Sequence, residues 1–91
     1  MLDIDRWNSM TVTERARLLR VDPWAEFNRI AAQLDPGEVS DLKNHPEFRP
    51  LREAFTFAQV KGSPTDLVEK VIDLLCDAVS SVRATRMIRA N

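Results

Sequence analysis

Three of the five prolines in this chain follow a side chain able to cap a helix, at Asp22-Pro23, Asp35-Pro36 and Ser63-Pro64. Proline at the first helical position forfeits no hydrogen bond, because that amide has no partner within the helix anyway. The preceding Asp or Ser oxygen can accept from amides two or three residues further on. Each pair therefore reads as a helix start. Thr11-Val12-Thr13-Glu14 adds a fourth start with the spacing of a capping box, which Asp35 with Glu38 and Ser63 with Asp66 approximate.

These marks divide the chain into a short opening segment at 2–8 and helices near 12–20, 23–34, 36–43, 50–61 and 64–89. The expected fold is all-α, a compact bundle of about five helices, four short and one long at the C-terminus. Residues 55–60 open with strand-like alternation, but Glu53, Ala54 and Ala58 favour a helix there. Pro46 and Pro50 interrupt residues 44–50, which are expected to turn with Phe48 tucked inward. With 91 residues, 44% of them hydrophobic, the chain suits one domain over 1–91. A core this small gives modest stability, so a partner could matter.

The inventory excludes several classes of function. Thirteen basic against fourteen acidic side chains, net −1, rule out a polycationic nucleic-acid coat or an acidic DNA mimic as whole-chain properties. Cys76 and His45, the only residues of their types, cannot form a disulfide or an ordinary zinc site, so no cofactor is expected. Asp3, Asp5 and Arg6 break any secretion-signal pattern, and Glu69, Lys70, Asp73 and Asp77 interrupt the greasiest stretch, so a membrane span is not expected. The expected setting is cytoplasmic.

Apolar side chains at helical spacing mark the core. Trp24, Phe27, Ala31 and Leu34 share one face of the second helix, and Leu51, Ala54, Phe55 and Ala58 one face of the fourth. Phe57 lies about 200° round from Phe55. Either the opening segment, through Trp7 and Met10, covers Phe57 and Val60, or these two are an exposed anchor for a partner.

The last helix carries most of the functional expectation. At 26 residues it would be about 39 Å long, against about 12 to 18 Å for the others. Either two short helices pack end to end along it or its far end stands clear. Val68, Val71, Ile72, Leu75, Val79 and Val82 form a stripe that Leu67, Leu74 and Ala78 widen to an arc of about 160°. Beyond Val82, Arg86 and Arg89 take over the stripe's bearing, while Ala84, Met87 and Ile88 gather elsewhere. Residues 64–79 hold four acids and one lysine, and residues 80–91 hold Arg83, Arg86 and Arg89 with no acid. The helix dipole explains part of this polarity. Antiparallel pairing of two such rods in a homodimer would use the rest and cover Met87 and Ile88.

Cys76, flanked by Asp73 and Asp77, is expected to be a packing residue rather than a reactive thiolate, and His45 a turn or capping residue. The expected function is non-enzymatic binding of a protein partner, as an adaptor, assembly factor or inhibitor that self-associates through the last helix. Its contact residues would be Arg83, Arg86, Met87, Ile88 and Arg89, then Phe57 and Val60. One alternative is a nucleic-acid-binding regulator using Arg15, Arg17 and Arg20 on the first helix and the arginines of the last. Residues 13–34 make a poor helix-turn-helix, because Trp24 and Phe27 stand where base-reading polar groups belong. A second alternative is a small helical enzyme whose pocket gathers Arg15, Arg52 or Arg29 with a glutamate.

Overall fold

The computed structural model describes the backbone of residues 3–90 and the side chains of residues 4–88. It is an all-α bundle of six helices, with no strand among the described residues: α1 (Asp3–Ser9), α2 (Val12–Val21), α3 (Ala25–Ala32), α4 (Pro36–Lys43), α5 (Phe48–Val60) and α6 (Thr65–Ala90). The opening segment is itself a helix. Seven residues cannot hold a helix alone; α1 is stabilised by burying Ile4 and Trp7, the latter completely.

The capping signals behave unequally. Thr11 and Asp35 each form the full reciprocal box, with Glu14 and Glu38. Asp22-Pro23 does not start a helix. Asp22 closes α2, its carboxylate accepts from the Trp24 amide at 3.2 Å, and α3 begins two residues later than expected, at Ala25. Pro50 is tolerated inside the first turn of α5, where amides lack helical partners, so that helix starts at Phe48. The α5–α6 connection is a Schellman turn: the Ser63 amide donates to the Ala58 carbonyl at 2.7 Å, and Gly62 takes the positive φ of 84° that the motif requires.

The length mismatch is resolved by end-to-end packing. Helices α2, α3, α4 and α5 all lie against α6, with α5 beside its beginning and α4 beside its later turns. The expected stripe of Val68, Val71, Ile72, Leu75, Val79 and Val82 is buried, with Ala78, and Cys76 joins it. They form one apolar cluster with Leu19, Ile30, Leu42, Leu51 and Ala58. On its open flank, Trp24, Phe27 and Phe55 stack with centroids 4.8 to 5.7 Å apart.

Candidate interaction surface

Of the eight arginines singled out from the sequence, Arg15, Arg29, Arg83 and Arg86 are engaged inside the chain. Arg83 Nε donates to Glu38 Oε2 at 2.7 Å, and Arg86 Nε donates to Asp41 Oδ2 at 2.8 Å while its Nη1 stands 3.6 Å from Asp35 Oδ1. The hydrogen bond to Asp41 raises the guanidinium's pKa above its ordinary value. Glu38 works twice, since its other oxygen accepts from the Asp35 amide and completes the α4 cap. The later turns of α6 are thus clamped onto α4. Two acids of the other half are committed too: Arg15 reaches Glu69 and Asp73, each at 3.5 Å, lies over the Trp7 ring at 4.5 Å and donates to the Trp7 carbonyl. Part of the charge polarity of the last helix, at Glu69, Asp73, Arg83 and Arg86, is therefore met by α2 and α4 of the same molecule.

Two apolar patches stay uncovered. Met87 and Ile88, at the tip of α6, are 69% and 76% exposed, and the Arg89 side chain lies outside the described residues. Phe57 and Val60, on α5, are 52% and 77% exposed. Trp7 and Met10 do not cover them. The indole N–H of Trp7 donates to Asp73 Oδ1 at 2.8 Å, which draws α1 toward α2, α3 and α6 instead. The two patches are far apart: α5 ends at the turn into α6, and the helix from Thr65 to Met87 spans about 33 Å.

The α5 patch belongs to a larger surface. An open hollow of about 660 Å³ runs along Phe48, Arg49, Arg52, Glu53, Thr56, Phe57 and Val60. Across the Phe48–Arg52–Thr56 ridge lies a groove of about 470 Å³ between α3, α4 and α5, walled by Phe27, Leu34, Val39 and Phe55 and reaching down to Leu75 in the core. Arg49 pairs with Glu53 at 3.3 Å, and Lys61 stands 5.6 Å from the Phe57 ring centroid. Arg52 has no ion-pair partner among the described residues.

No family model, curated protein or solved structure matches this chain. Its chemistry must be read from its own residues. Arg15 and Arg29 serve separate carboxylates, Arg29 Nη1 standing 3.1 Å from Glu26 Oε1, and Arg52 is on the outer face of α5, so these three do not converge on one pocket. Cys76 is buried, and burial first, then Asp73 and Asp77, push its thiol up to about 12. His45 Nδ1 accepts from the Glu47 amide across its turn. Among the described residues no group of three or more His, Cys, Asp or Glu could hold a metal ion, and no helix is long and apolar enough to cross a membrane.

Sequence reasoning missed the groove and Glu38. The groove arises where three short helices meet, which no single periodicity reveals. Glu38 could have been found, because a capping-box glutamate whose helix packs beside an arginine-bearing one has a second oxygen to offer.

Proposed function

We propose that this chain is a non-enzymatic protein-binding module, an adaptor, assembly factor or inhibitor, whose principal contact is the outer face of α5 around Phe57 and Val60. The observation that carries the reading is the exposure of these two large apolar side chains beside two apolar hollows on one helix. Monomeric proteins seldom leave such a surface uncovered without a use for it, and an aromatic side chain ringed by polar ones resembles the anchors that dominate protein interfaces. The tip of α6, through Met87 and Ile88, is the second contact and the place where a further copy of the chain would attach. Arg83 and Arg86 support the tip contact from behind by holding the later turns of α6 on α4.

Nucleic-acid binding receives less support. Of the six arginines it would use, Arg15, Arg83 and Arg86 are committed to carboxylates, which leaves Arg17 and Arg20 as the described ones free to meet phosphate.

The test is capture from a lysate of the source cells at two salt concentrations, with and without nuclease. It compares the natural chain, the Phe57→Ser/Val60→Ser variant and the Met87→Ser/Ile88→Ser variant. The expected result is a protein retained by the natural chain in the presence of nuclease and lost with the α5 variant. Retention of nuclease-sensitive material alone, or equal retention by all three chains, overturns the proposal. Light scattering decides the second contact: a dimeric mass that becomes monomeric with the tip variant establishes it, and a monomeric mass for the natural chain at high concentration removes it.

A further inference from the structure

The groove between α3, α4 and α5 is apolar along nearly its whole lining, with Phe27, Leu34, Val39, Phe48 and Phe55 as walls and Leu75 below. Arg52 is the only charged residue in that lining, and it has no ion-pair partner among the described residues. From Phe48 to Gln59 the α5 wall runs about 16 Å, the length of three helical turns.

We infer that this groove receives an acidic amphipathic helix from the partner protein, with apolar side chains in the slot and a carboxylate on Arg52. The inference rests on the protein-binding reading above and names the class of partner. The walls are helices whose backbone groups are already paired, so an extended segment would find no main-chain partners there, whereas a helix brings its own backbone bonds satisfied. Three turns present apolar residues at i, i+3 or i+4 and i+7, enough to fill the slot. The sign of the partner follows from Arg52, since a planar guanidinium takes a carboxylate with two parallel hydrogen bonds and repels a base. The tip of a second copy does not qualify, because residues 78–91 contain no acidic side chain.

The probe is a library of random 16-residue peptides displayed on phage and selected on the immobilised full-length chain. Enriched sequences are expected to carry apolar residues at helical spacing with acids in excess of bases. A synthetic peptide of that consensus should bind R52E at least tenfold more weakly than the natural chain, and a peptide with its key acid changed to Arg should bind R52E better than the natural chain. Arg52 is exposed, so R52E keeps the fold, which far-UV circular dichroism checks. No enrichment, a basic consensus, or binding indifferent to R52E overturns the inference. Peptides lost on Phe57→Ser/Val60→Ser but untouched by R52E overturn the groove assignment alone and leave the protein-binding reading standing.

Discussion

Cys76 sits in the buried apolar stripe of α6, where burial and the carboxylates of Asp73 and Asp77 raise its pKa from 9.0 to about 12. The folded state therefore favours the neutral thiol. Its contribution to stability is whole below pH 9 and is lost as the pH climbs toward 12, on the order of 1 to 2 kcal/mol by about pH 10.5. Unfolding free energies from urea titrations at pH 8 and at about pH 10.5 should differ by that amount more in the natural chain than in Cys76→Ala. Thiol reagents should label the native protein only as fast as it opens. Gly62 is a second residue whose setting decides its role. Its φ of 84° is costly for any side chain, while a Cβ there would meet open space. Gly62→Ala should therefore cost about 1 kcal/mol through the backbone alone, seen as a lower thermal midpoint with no loss of helicity.

At the level of elements, the clamp between α4 and α6 is the arrangement that the sequence hid. Glu38 is nearly buried and holds Arg83, so Arg83→Ala leaves a carboxylate without its cation and should cost about 2 kcal/mol. Amide exchange should show the loss concentrated in the last turns of α6. Removing Arg86, whose pairs are more open to water, should do much less. What was legible in the sequence was what depends on neighbours along the chain. The boxes at Thr11 and Asp35, the buried stripe of α6 and the inward face of α5 follow from local spacing. Residues whose role depends on a distant partner carry no such local mark. Asp22-Pro23 resembles a cap until Asp22 is needed to end α2, and α1 is held by Trp7, whose acceptor, Asp73, lies 66 positions away. The same limit applies to the surface: exposure of Phe57 and Val60 was one of two expected outcomes, and only the placement of Trp7 decided between them.

Over the whole molecule, α1 supplies two members of the core despite its length. A chain lacking residues 1–10 loses Ile4 and Trp7 and uncovers Arg15 and Asp73. Large-to-small changes at such sites cost about 3 to 5 kcal/mol for an aromatic side chain alone, against the modest total that a domain of this size possesses. This truncated chain should unfold at markedly lower urea concentration, with near-ultraviolet dichroism lost before far-ultraviolet. The contacts among elements have a further consequence. Helices α2 to α5 each rest on α6, and the main pairing that bypasses it is α1 with α3. The architecture is a hub with spokes, and faults should spread unevenly through it. An altered spoke disturbs its own seat and, between α3 and α5, the aromatic stack they share, whereas a change along the hub is felt by whichever spokes rest on that turn.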